Sequence, residues 1–221
     1  MGKNVQGDAI NPGNDTMISQ KKYSWLALGD SYTIGESVSA QERFAARSIA
    51  MLGNHELNFS EPQYIATTGW TTKDLLAAIA QQNPQGPYDV VTLLIGVNDQ
   101  YQHMDTAGYR TRFTECLHHA ITLAGNKNDH VFVFSIPDYS VTPFAAGSDV
   151  AQISKEIDEF NAINKAITLS DNISYIEITA LSREAKYDAS LVAADGLHPS
   201  GKEYSKWAEL LAPEVEKALK Q

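Results

Sequence analysis

Trp25-Leu26-Ala27-Leu28-Gly29-Asp30-Ser31 is the stretch on which the reading of this chain turns: four apolar residues in a row, stopped by a small polar tripeptide. A strand that ends so abruptly holds a serine hydroxyl at the carboxyl end of a sheet, where open α/β proteins place their ligands. A serine hydroxyl alone is a weak nucleophile, so a base and an oxyanion site have to come from elsewhere in the chain.

Working outward, residues 24–29, 63–66, 89–95, 131–136 and 174–178 read as strands. The third and fourth are almost wholly apolar, which suits parallel strands covered on both faces. Between the strands, Phe44, Ala45, Ile49 and Leu52 recur at helical spacing, as do Ile153, Ile157, Phe160, Ile163 and Ile167. Ser39 with Glu42, Thr71 with Asp74, and Ser200 with Glu203 have the form of capping boxes that open helices. Strands alternating with helices in this way predict a three-layer α/β/α sandwich, flavodoxin-like and doubly wound around a five-stranded parallel sheet. Residues 21–221 are read as one domain, and residues 1–20, polar and rich in Asn and Gly, as a flexible tail.

The chain has 221 residues, 43% of them hydrophobic, enough to bury a full core, and a net charge of −10. That charge excludes nucleic acid as a partner, and no polybasic run suits anionic lipid. No apolar stretch approaches the ~18 residues that span a bilayer. The chain is therefore read as soluble, either cytoplasmic or exported with a signal removed. The lone Cys116 is read as a small buried or half-buried hydrophobe and excludes an internal disulfide. His118 and His119 project about 100° apart on a helical pattern, and His55, His103 and His130 lack partners at ligand spacing, so no metal is expected. No cofactor is expected either: the chain carries neither Gly-x-Gly-x-x-Gly nor a Walker-type loop, which disfavours a non-catalytic flavin- or nucleotide-binding module.

Three later elements stand beside Gly29-Asp30-Ser31: Gly69 within Thr67-Thr68-Gly69-Trp70, Gly96-Val97-Asn98-Asp99, and Asp195-Gly196-Leu197-His198. Each taken alone is an ordinary turn or cap. Gly-Asp-Ser, Gly-x-Asn-Asp and Asp-x-x-His together are expected by chance in roughly one chain in two thousand of this length. In this order they resemble the blocks of the SGNH/GDSL hydrolases, a family named for its Ser, Gly, Asn and His positions, and the resemblance spans residues ~24 to ~205.

The resemblance implies a metal-independent serine hydrolase of carboxylic esters. Ser31 is then the nucleophile, His198 the general base, and Asp195 the group that fixes the imidazole tautomer. The oxyanion hole would be built from the Ser31 N–H, the Gly69 N–H and the Asn98 side-chain amide. Asp30 and Asp99 are expected to act structurally, accepting loop backbone N–H groups. Tyr32, Trp70, Tyr101, Tyr139 and Phe144 stand in the loops after the strands, where rings either contact the substrate or pack the loops. No long apolar insertion suggests a lid, which favours a small or moderately sized ester over a triacylglycerol. The resembling family hydrolyses acetylated sugars, lysophospholipids, thioesters and short-chain esters, and shared motifs leave that choice and the oligomeric state open.

Overall fold

The structure is a computed structural model that describes Gly2 and residues 22–221, so the tail expected over residues 1–20 lies, apart from Gly2, outside the described residues. Strands β1 (Trp25–Gly29), β2 (Gln63–Ala66), β3 (Val90–Leu94), β4 (Val131–Phe134) and β5 (Ser174–Ile176) pair in parallel in the order β2-β1-β3-β4-β5. This is the flavodoxin-like order, in which the winding direction reverses between β1 and β3 and opens a crevice at their carboxyl ends. Every residue of β1, β3 and β4 is buried, as expected for strands covered on both faces.

The helices are α1 (Ser31–Ile34), α2 (Phe44–Gly53), α3 (Thr72–Gln82), α4 (Val97–Tyr101), α5 (Thr106–Leu123), α6 (Val150–Ser170), α7 (Thr179–Ser182) and α8 (Gly201–Leu219). α2 packs along α8, whereas α5 lies between α3 and α6, giving a helical layer on each side of the sheet. An aromatic cluster fills the first interface, with Phe44 4.8 Å from Phe134 and Tyr204 4.9 Å from Trp207 between ring centroids. On the other side the Tyr109 ring packs, tilted, with its centroid 4.5 Å from that of Phe160. Cys116 is fully buried there, and burial pushes its thiol pKa up.

β1 and β3 approach closely where they end. A Cβ on Gly29 would collide with the Thr33 hydroxyl and the Leu94 carbonyl, so only glycine fits between the strands at that level. Directly beyond, the chain turns at once into α1, with Asp30 as its cap: the Asp30 carboxylate accepts the Tyr32 N–H at 3.0 Å. β3 likewise passes through Gly96 into α4. Ser31 and Asn98 therefore stand in the first turns of short helices rather than on the strand ends themselves.

Two expectations are corrected in detail. Thr71 and Asp74 form the predicted reciprocal cap of α3, but Glu203 does not return to Ser200. Its carboxylate turns inward and accepts the Trp207 indole N–H at 2.9 Å, because the first turn of α8 is packed against the core. Ser39 and Glu42 do bond each other, but around a 3-10 turn (Ala40–Glu42) that precedes α2. α6 also presents an unexpected face. Ile157 and Phe160 are buried, yet Ile153, Ile163 and Ile167 are only partly so, and Asn161, Asn164 and Thr168 take the inner positions.

Those inner amides have work that apolar residues could not do. Asn161 accepts the Ile136 N–H at 2.7 Å and donates to the Ile136 carbonyl at 3.0 Å, extending the hydrogen-bonding pattern just past the end of β4. Asn164 donates to the Tyr109 hydroxyl and accepts from that of Tyr175. Asn161→Ala should leave the buried Ile136 N–H without a partner and lower unfolding stability by about 2–3 kcal/mol, seen as a reduced urea midpoint with an unchanged m-value.

Candidate active site

At the rim of the β1/β3 crevice Ser31 is 4% exposed and opens α1. Its neighbour Tyr32 packs against the imidazole of His198, with 5.1 Å between ring centroids. The Tyr32 carbonyl accepts the Tyr204 hydroxyl of α8 at 2.8 Å, which ties the Ser31 turn to the last helix. His198 thus reaches Ser31's immediate neighbour although 167 residues separate the two in the chain. The Ser31 hydroxyl and His198 make no direct hydrogen bond with each other.

Asp195 and His198 are assembled within one turn. His198 Nδ1 lies 2.6 Å from Asp195 Oδ2. An ionised carboxylate only accepts, so Nδ1 is the ring nitrogen that donates to Asp195. Asp195 Oδ1 accepts the backbone N–H groups of Leu197 and His198 at 2.9 and 3.0 Å. Partial burial works against ionisation of Asp195, but the Ser37 hydroxyl, the imidazole and those two N–H groups outweigh it and hold the carboxyl well below the usual range. The turn also bonds outward, with the Ala193 N–H on the His198 carbonyl at 2.7 Å and the Phe144 N–H on that of Gly196 at 2.9 Å.

The three expected oxyanion donors fall in neighbouring segments, Ser31 in α1, Gly69 in the loop before α3 and Asn98 in α4. Asn98 Nδ2 donates to the Trp70 carbonyl at 2.9 Å, which leaves the second amide proton for a ligand. Gly69, one residue earlier, is exposed at φ +82°, a left-handed conformation in which glycine is unstrained. A Cβ there would meet nothing within 4 Å, so it is the backbone angle and not crowding that calls for glycine. Beneath both loops lies the fully buried Asp99, whose carboxylate accepts the Thr72 N–H at 2.8 Å, the Thr72 hydroxyl at 2.5 Å and Arg112 at 3.2 Å. Asp99 thereby joins α4 to the start of α3, as the structural role expected of it requires.

A small cleft of about 50 Å³ opens beside Asn98, lined by Tyr32, Val97, Tyr101, Tyr139, Phe144 and Leu197. Tyr101, Tyr139 and Phe144 form a triangle of rings with centroids 6.0–6.2 Å apart. Four of the five aromatic residues singled out in the sequence therefore meet here. Trp70 does not: its side chain packs against the core and its contribution is the carbonyl that holds Asn98. Val97 and Leu197, absent from the sequence expectations, complete the wall; as apolar neighbours of Asn98 and His198 they were available to be noticed. Among the described residues no group of three or more His, Cys, Asp or Glu is arranged to hold a metal ion, and no helix is long and apolar enough to cross a membrane.

Asp30 occupies a different situation from Asp99. One carboxylate oxygen has the Tyr32 N–H, but the other is buried without a partner. Burial foremost, opposed by the Tyr32 N–H and reinforced by the charge of Asp99, pushes its pKa up to about 8. The folded protein therefore retains a proton that the unfolded chain releases near 4, and this contribution to stability is lost as pH rises toward 8. Asp30→Asn should remove that slope, so that its stability relative to wild type improves between about pH 5 and pH 9 in denaturation series.

A family model of the GDSL-like lipase/acylhydrolases matches residues 27–206. No curated protein matches the chain. Solved structures of similar fold include TesA, at 16% identity and TM-score 0.67, covering 88% of this chain and 99% of that one. The lipase Lip_vut3 from a goat rumen metagenome, at 22% identity and TM-score 0.67, covers 87% and 97%. Axe2, an acetylxylan esterase from Geobacillus stearothermophilus, at 20% identity and TM-score 0.65, covers 87% and 94%. With the match extending from β1 into α8, the chain belongs to the GDSL-like lipase/acylhydrolase family.

Proposed function

We propose that this protein is a serine hydrolase of small carboxylic esters, acting through an acyl-enzyme without a metal. The observation that carries the reading is the Asp195–His198 pair packed against Tyr32, next to Ser31, with Asn98 on the same cleft. In this reading His198 Nε2 takes the proton of the Ser31 hydroxyl as the oxygen attacks the ester carbonyl. The Ser31 and Gly69 N–H groups and the free Asn98 amide proton meet the negative oxygen of the tetrahedral intermediate. His198 then returns the proton to the departing alcohol, and water repeats the sequence on the acyl-enzyme with the same base. Nucleophile, base and electrophilic donors are all supplied by the chain, so the reaction calls on no metal.

The cleft of about 50 Å³, walled by packed aromatic rings, favours a short acyl group over a long chain. A sugar acetate or another short-chain ester fits that description better than a lysophospholipid or a long acyl thioester.

Ser31→Ala should abolish hydrolysis of p-nitrophenyl acetate, and a fluorophosphonate should label wild type at Ser31, as read by peptide mass spectrometry. Undiminished activity in the variant, or labelling at another residue, would refute the reading. Asn98→Ala should lower kcat by about 10²–10³ in steady-state assays, the usual loss for one oxyanion donor. An effect on KM alone would instead make Asn98 a substrate-binding group.

A further inference from the structure

The turn that follows α1 contains a serine for which neither the fold nor the motif accounts. Ser37 is not a glycine, yet its φ is +64°, a left-handed conformation that costs a side chain strain. An exposed serine with nothing to bond has no reason to stay there. Its hydroxyl donates to Asp195 Oδ2 at 2.7 Å, the same oxygen that receives His198 Nδ1 at 2.6 Å. With Leu197 and His198 N–H groups on Oδ1, each carboxylate oxygen has two donors. Oδ1 is pinned by backbone, whereas Oδ2 is held only by the imidazole it is meant to orient and by Ser37.

The placement of Ser37 is set by Ser31. The Ser31 carbonyl accepts the N–H of Gly35 and, at 3.0 Å, that of Glu36. Glu36 in turn accepts the Thr68 hydroxyl at 2.5 Å, directly before Gly69. One two-residue turn therefore bonds the loop of Ser31, the loop of Gly69 and the loop of Asp195 to one another.

We propose that Ser37 is a positioning residue: its hydroxyl fixes the rotation of the Asp195 carboxylate and so the orientation of the His198 ring relative to Ser31. The proposal rests on the reading of Ser31, His198 and Asp195 as the reacting set. Ser37 acts through Asp195 and does not touch the reacting atoms.

Two variants separate the hydroxyl from the backbone. Ser37→Gly removes the hydroxyl and relieves the left-handed strain, whereas Ser37→Ala removes the hydroxyl and keeps the strain. Both should lower kcat for p-nitrophenyl acetate by about tenfold with KM unchanged, the size of one lost hydrogen bond. In both, the low-field proton resonance of the His198 Nδ1–H should shift from its wild-type position. A wild-type kcat in Ser37→Gly, an unmoved resonance, or a loss confined to Ser37→Ala overturns the proposal. If wild type shows no Ser31-dependent hydrolysis, the esterase reading fails instead, and the resonance still reports on the Ser37–Asp195–His198 geometry without turnover.

Discussion

The close approach of β1 and β3 at their carboxyl ends is the constraint on which this molecule depends. Gly29 sits so near the Leu94 carbonyl that no side chain fits, and the Thr33 hydroxyl closes the gap by donating to that carbonyl at 3.3 Å. Because the strands run parallel and end at one level, with Gly29 opposite Leu94, the chain leaves both at the same point on the rim. Ser31 and Asn98, far apart in sequence, therefore follow neighbouring strand ends. A Cβ at residue 29 would force the strands apart where they end.

Such crowding puts polar groups underground, and two neighbouring aspartates meet that cost differently. Asp99 is supplied with donors from three sources, the Thr72 backbone, the Thr72 hydroxyl and Arg112, and serves as a strut between two loops. Asp30 receives one N–H and leaves an oxygen bare in the interior. Where protein donors are missing, the lower-energy answer is to keep a proton, which is the direction in which burial moves Asp30. One carboxylate is thus compensated by hydrogen bonds and its neighbour by protonation.

The sheet was legible in the sequence because its strands are short apolar runs, and each observed strand lies within two residues of its expected ends. The family resemblance was legible because several independent elements stand in one order along the chain. Three features were not. The inner face of α6 carries Asn161, Asn164 and Thr168 beside a conspicuous isoleucine stripe, and periodicity follows the apolar stripe whichever face the buried hydrogen-bond partners demand. Glu203 follows Ser200 at cap spacing, but the choice between cap and Trp207 depends on tertiary packing. Ser37 has no local signal at all, since a left-handed serine and its partner 158 residues away are known only once the loops are folded together.

The site is assembled from parts of unequal rigidity. Ser31 and Asn98 inherit their positions from buried strands, which close packing makes stiff. Asp195 and His198 belong to no strand or helix; they sit in a loop ahead of α8, whose Ser200 cap receives the Glu203 N–H at 3.4 Å. A small set of bonds ties that loop and the helix after it to neighbouring turns: Tyr204 to the Tyr32 carbonyl, Phe144 N–H to the Gly196 carbonyl, and Ser37 to Asp195. Displacement of a base by 1 Å is enough to cost orders of magnitude in rate. The proposed chemistry therefore depends on the few bonds that hold the Asp195–His198 loop in place as well as on the residues proposed to react.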